Sequence, residues 1–131
     1  MSQTLSFANE PTTIGLSERT HALLKRLAED KRNGHFAEMA DAYRLGIGLA
    51  IAHGVVPEEV PTPRQTIFNV GTLDPDKQIY NAIRLLSDPG ETAVYRWAER
   101  LAEWGVREIA ARADAGSLDL GALLSEVGGE S

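Results

Sequence analysis

The spacing of apolar positions changes several times along the chain, and each change marks an expected element. Residues 1–11 show no period and read as a flexible arm. Thr12-Thr13-Ile14-Gly15-Leu16-Ser17 alternates, with Ile14 and Leu16 on one face and Thr13, Gly15 and Ser17 on the other, which is the period of a short strand. Ser17 then offers its hydroxyl as the N-cap of a helix reaching about Asp30. Leu23, Leu24, Leu27 and Ala28 form the buried stripe of that helix, and Arg19, Lys25, Arg26 and Glu29 its wet side. Lys31-Arg32-Asn33-Gly34 is a basic turn able to end it. From Phe36 to His53 a stronger pattern follows: Phe36, Met39, Ala40, Tyr43, Ile47, Ala50 and Ile51 recur at three- and four-residue spacing, while Leu45 and Leu49 make a second face apolar. A helix apolar over most of its girth is central, in a core or in a dimer. Gly46 and Gly48 each cost such a helix roughly 1 kcal/mol against alanine, so they imply another helix crossing at short distance. Gly54 ends it.

Pro57, Pro61 and Pro63 interrupt helix formation across residues 55–73, where Gln65 to Val70 reads as a short extended segment docked on the core. Asp74-Pro75-Asp76 then supplies an N-cap carboxylate, a proline at the first helical position and an acid in the first turn. Ile79, Tyr80, Ile83 and Leu86 make the buried face of the short helix it opens. Asp88-Pro89-Gly90-Glu91 repeats the pattern, with Glu91 placed for a capping box, ahead of a long helix to about Ala115. Val94, Trp97, Ala98, Leu101 and Trp104 form its seam; Glu99–Glu103 is a like-charge pair at four-residue spacing, and Glu103–Arg107 and Glu108–Arg112 are favourable ones. Asp119 caps a last helix from Leu120 to Val127.

These elements predict a mainly α protein: one short N-terminal strand followed by about five helices in a single compact bundle, completed by oligomerisation. The expected layout is a flexible arm over 1–11, a single helical domain over 12–127, and a frayed tail over 128–131. Within the domain, residues 12–54 form a strand-helix-helix half, 55–73 a Pro-rich connector and 74–127 an acidic helical half. Neither half has an ample core alone.

Composition narrows the function. With 131 residues, 43% of them hydrophobic and 24% charged, the chain suits one globular domain. The absence of cysteine removes disulfides, thiolate metal sites and thiol nucleophiles. Met1 to Leu5 carries neither a basic nor an apolar leader pattern, and Leu45 to Ala52 is too short to cross a bilayer, so a cytoplasmic location away from membranes is expected. The net charge of −6 is unevenly spread: residues 1–64 hold seven Lys or Arg against eight Asp or Glu, and residues 65–131 six against eleven. Nucleic-acid binders usually carry a basic surplus. A DNA role here therefore needs a local basic face, and the candidate is Arg19, Lys25, Arg26, Lys31, Arg32 and Arg44.

No catalytic motif stands out. His21, His35 and His53 lack metal-ligand spacing, no phosphate loop or nucleophile elbow occurs, and the acid pairs Glu58-Glu59 and Asp74/Asp76 sit at turns or helix starts. The expectation is a protein without enzymatic activity, metal or cofactor. Trp97 and Trp104 lie one heptad apart and suit a core or a helix–helix interface; with Arg100 and Arg107 nearby, a stacking platform for bases is the alternative. Tyr43, Gly46, Ile47, Trp97 and Trp104 are the candidate partner or oligomer interface.

The layout of residues 12–54 resembles the ribbon-helix-helix family of DNA-binding proteins, on the strand Thr13-Ile14-Gly15-Leu16, the Ser17 cap, the helix bearing Leu23, Leu24 and Leu27, the polar turn and the second apolar helix. That resemblance implies strands of two protomers paired in the major groove, Thr13 and Gly15 facing the DNA and Ile14 and Leu16 the core. The strand departs from the family in carrying no Lys, Arg, Gln or Asn outward. The run Ile14-Gly15-Leu16-Ser17 through Leu23 is also similar to the small E-type subunit of bacterial DNA phosphorothioation systems, which implies a non-enzymatic, oligomeric subunit beside DNA-modifying partners in antiviral defence. Two readings follow. One is a homo-oligomeric accessory protein of a bacterial DNA-handling or DNA-defence complex, binding DNA weakly or through a partner. The other is a protein-binding adaptor or antitoxin-like module whose acidic C-terminal half masks a basic partner.

Overall fold

The computed structural model describes residues 10–29, 36–116 and 118–128. The expected strand forms as β1 (Thr13–Ser17), followed directly by α1 (Glu18–Glu29). The Ser17 hydroxyl accepts the Thr20 N–H at 3.2 Å, the cap expected of it. The basic turn at 31–34 and His35 lie outside the described residues. α2 (Met39–Ala52) starts later than its apolar pattern, and Gly54, at φ 65°, closes it.

The extended segment of the connector is a second strand, β2 (Arg64–Asn69), antiparallel to β1. Thr13 pairs with Asn69, Ile14 with Phe68, Gly15 with Thr66 and Ser17 with Arg64, so β2 carries one extra residue, a bulge, opposite the Ile14–Gly15 step. The one-strand expectation is thus corrected to a strand pair, and α3 (Val70–Leu73) adds a short helix that the apolar pattern did not mark. α4 (Gln78–Leu86), α5 (Val94–Asp114) and α6 (Leu120–Gly128) complete six helices among the described residues.

Two helix starts differ from expectation for one reason: the capping carboxylate comes from farther away. Pro75 does not open α4. It lies in a turn that ends at Lys77 in the left-handed region, φ 58°, and Asp74 reaches past that turn to accept the N–H groups of Ile79 at 2.9 Å and Tyr80 at 3.0 Å. At α5, Glu91 precedes the helix, and Glu10 supplies the cap instead, accepting from Val94 at 2.8 Å and Tyr95 at 3.0 Å. Both carboxylates satisfy orphan N–H groups at the positive end of a helix dipole. Asp119 caps α6 as expected, through Ala122 at 3.2 Å.

α2 and α5 cross at the centre of a single core to which both halves of the sequence contribute: Ile14, Leu16, Leu24, Tyr43, Ile47 and Leu49 from one, and Leu73, Ile83, Leu101, Val106, Ile109 and Leu123 from the other. The crossing is as close as Gly46 implied. A Cβ on Gly105 would lie 1.9 Å from the Gly46 carbonyl oxygen, and one on Gly46 would lie 3.0 Å from the Val106 nitrogen. Backbone approaches backbone here, and only glycine admits it.

Candidate binding surfaces and the buried carboxylate pair

The edge of β1 away from β2 is closed at Gly15 and Ser17 by side chains of α5. The Gly15 N–H donates to Glu99 Oε2 at 2.7 Å, and the Ser17 N–H to Glu103 Oε1 at 3.0 Å. Two carboxylates of α5 thus stand where the carbonyls of a third strand would. Glu103 also accepts the Ser17 hydroxyl at 2.8 Å and the Thr20 hydroxyl at 2.7 Å, while the Tyr43 hydroxyl donates to the Gly15 carbonyl at 2.8 Å. Glu99 is paired with Arg64, and with Arg96 at 3.1 Å; the bond to Glu99 is the first cause raising the Arg64 guanidinium pKa. Burial, then the neighbouring Glu99 charge, pushes the Tyr43 phenol well above its ordinary value.

Ile14 to Ser17 are all buried, so Gly15 and Ser17 do not form the solvent face that the alternation suggested. A Cβ on Gly15 would lie 1.8 Å from the Gln65 carbonyl oxygen, which explains the glycine. Sequence reading missed Glu99 and Glu103 as buried groups and placed Glu103 opposite Arg107. The available signal was their company on one helical face, Tyr95, Ala102, Val106 and Ala110, which are all buried.

Four of the six basic candidates fall among the described residues, three on α1 and one on α2. Arg19 and Lys25 are exposed on α1 and form no ion pair among the described residues; Arg26 meets Asp114 at 3.1 Å across a solvent-exposed bridge. Arg44, on α2, is held by the Leu73 carbonyl at 3.0 Å and by Asp41 at 3.6 Å. Lys31 and Arg32 lie outside the described residues.

Four of the five candidate interface residues are buried inside the chain. Tyr43, Gly46, Ile47 and Trp97 are buried, with the Trp97 indole N–H donating to the Ser87 hydroxyl at 2.8 Å. Trp104 is half-buried, its ring centroid 5.8 Å from that of His53, whereas the Arg100 guanidinium sits 5.8 Å from the Trp97 ring, so the two indoles face different neighbours.

Several large aliphatic side chains remain exposed. Val56, Leu85 and Leu86 are 82%, 81% and 68% exposed. They border a groove of about 460 Å³ walled by Ile51, Val55 and Trp97, with Asp88 at its rim. A second groove of about 480 Å³, between the start of α2 and α6, is lined by Phe36, Leu45, Leu120, Leu124 and Val127. Large aliphatic side chains grouped in solvent mark contact surfaces more often than isolated ones do. Among the described residues no group of three or more His, Asp or Glu is placed to hold a metal ion, and no helix is long and apolar enough to cross a membrane. No protein-family model, curated protein or solved structure matches the chain.

Proposed function

We propose that this chain is a protein-binding adaptor whose acidic C-terminal half receives a basic protein partner. The observation that carries this reading is the cluster of exposed Val56, Leu85 and Leu86 around a groove, with Leu85, Leu86 and the rim residue Asp88 in the part of the chain that holds the excess negative charge. Such a surface binds by burying apolar area, while the surrounding charge selects the partner and speeds encounter. The test is affinity purification from the native host with the full chain and two variants. Wild type and Arg19→Glu/Lys25→Glu should retain the same protein, and Asp88→Lys/Glu91→Lys should lose it. Retention that depends on Arg19 and Lys25, or that disappears on nuclease treatment, counts against the adaptor.

The second reading, an accessory protein of a bacterial DNA-handling or DNA-defence complex, is favoured by one observation: Arg19, Lys25 and Arg26 all stand exposed on α1, ahead of Lys31 and Arg32 in the sequence. With β1 buried, that reading rests on phosphate contact by a helix rather than base reading by a strand. Fluorescence anisotropy of labelled DNA at about 50 and about 200 mM salt decides it, since phosphate contacts make affinity fall steeply between them. Replacing Lys25, Arg26, Lys31 and Arg32 with glutamate should then abolish binding.

A further inference from the structure

We propose that the groove beside Trp97 is the docking site for an amphipathic helical segment of a protein partner, with leucine-like side chains entering the groove and lysines or arginines meeting its acidic rim. The proposal rests on the adaptor reading and specifies its site and recognition element.

The groove is built to stay open. Its back wall is the Trp97 indole, locked by the bond to Ser87 and flanked by the Arg100 guanidinium. Its two lips are short and anchored: Val55 hydrogen-bonds back to the Ala50 carbonyl at 3.0 Å, and the Ser87 N–H to the Ile83 carbonyl at 2.9 Å. Leu85 and Leu86 on one lip and Val56 on the other are exposed, so a guest helix meets apolar side chains on both lips of a groove whose backbone is already anchored. Apolar residues at three- and four-residue spacing on a guest helix match a slot of this kind.

Charge selects among possible guests. Asp88 lines the groove; the chain beyond Val56 runs through Pro57 to exposed Glu58 and Glu59, and the chain beyond Asp88 reaches exposed Glu91. On the cationic side, Arg100 is engaged with Trp97 and, at 3.9 Å, with Glu59, leaving Arg84 as the exposed cation of the last two turns of α4. The surplus is negative. A symmetric contact with a second copy would set this rim against itself, and anionic lipid headgroups would be repelled by it. With Glu59 offset by Arg100, a segment with basic flanks gains from Glu58, Asp88 and Glu91.

The test uses the full chain, isotope-labelled for NMR, titrated with a synthetic leucine–lysine amphipathic peptide and with its leucine–glutamate counterpart. The lysine peptide should shift the signals of residues 51–57 and 85–88 and the Trp97 indole, and bind more than about tenfold more tightly than the glutamate peptide at low salt. Leu85→Asp should weaken binding by about tenfold or more; because Leu85 is exposed, the variant folds normally, as its unchanged spectrum away from the groove should show. Shifts centred elsewhere, equal affinity for both peptides, or no saturable binding would overturn the proposal. So would sedimentation showing wild-type dimers that Leu85→Asp dissociates, because the occupant would then be a second copy. A host protein captured equally by wild type and Leu85→Asp would sink the groove and leave the adaptor standing; a host that yields no captured protein would sink the adaptor itself.

Discussion

At the scale of single residues, the protein depends on a few positions where no other side chain fits. Gly105→Ala would drive a methyl to 1.9 Å from the Gly46 carbonyl oxygen, and relieving that by parting α2 from α5 should cost about 3 kcal/mol or more, read from urea unfolding. Gly48→Ala is the contrasting variant: its Cβ meets only Val127 Cγ1, at 2.7 Å on the terminal helix, so the gain in helix propensity should offset the displacement and leave stability within about 1 kcal/mol of wild type. Glu103 is the second such position. Glu103→Ala strands the donors of Ser17 and Thr20 inside the protein and should cost about 3 kcal/mol, whereas Glu103→Gln keeps one acceptor, and its amide can donate to a rotated hydroxyl, so it should lose about half as much. Denaturant midpoints of the two variants check the order. Gly46 and Gly48 were legible in the sequence because glycine inside an apolar helix has few other uses, whereas Gly105, in the more polar α5, was not read as the counterpart of Gly46. The glutamates were not legible, because a carboxylate is outside by default and the β1 donors that meet these two inside lie more than eighty residues away.

At the scale of elements, local patterning identified β1, α1, α2, α5 and α6, and their period and caps explain why: Ser17 and Asp119 act within their own turns. The errors fall where a partner is distant. β2 reads as a docked extended segment until β1 is set beside it, and the starts of α4 and α5 shift because Asp74 and Glu10 reach their N–H groups across intervening chain. α6 offers a test in pH. Its Glu126 is held to α5 and α2 by Arg112 at 2.8 Å and His53 at 2.8 Å. Hydrogen bonds from Arg112 first, and His53 second, bring its carboxyl down to about 2 from the ordinary 4.5. A carboxyl lowered by folding adds stability that is complete above its unfolded value and is lost as pH falls through its folded value. Docking of α6 should therefore loosen as pH drops from 4.5 toward 2. The protection of residues 120–128 against amide exchange, taken relative to unstructured peptide at each pH, should fall over that window in wild type, and already be lowered, with less dependence on pH, in Glu126→Gln. Identical profiles in the two would show that the contact contributes nothing.

At the scale of the whole molecule, the split into an N-terminal and an acidic half is a division of charge and not of structure, because α2 and α5 share one core. Residues 12–73 expressed alone should give a chain without the dispersed amide spectrum of a folded domain, since Ile14, Leu16 and Tyr43 would lose Leu101, Val106 and Ile109. The candidate surfaces were less legible than the fold. Exposed aliphatics such as Leu85 and Leu86 count as buried in any helical pattern, and Leu86 was assigned to the inner face of α4. Only the bend of the chain around Trp97 shows what α4 leaves uncovered.

The carboxylate clasp on β1 also bears on how the chain is made. Glu99 and Glu103 lie 84 and 86 residues beyond the strand they complete. At a synthesis rate of about 5–20 residues per second, β1 is translated roughly 4 to 17 s before its clasp exists. For that interval the nascent chain carries an unclosed strand edge, the feature through which neighbouring chains on a polysome adhere to one another. Translation speed and chaperone supply, more than the stability of the finished protein, should thus govern how much soluble product a cell obtains.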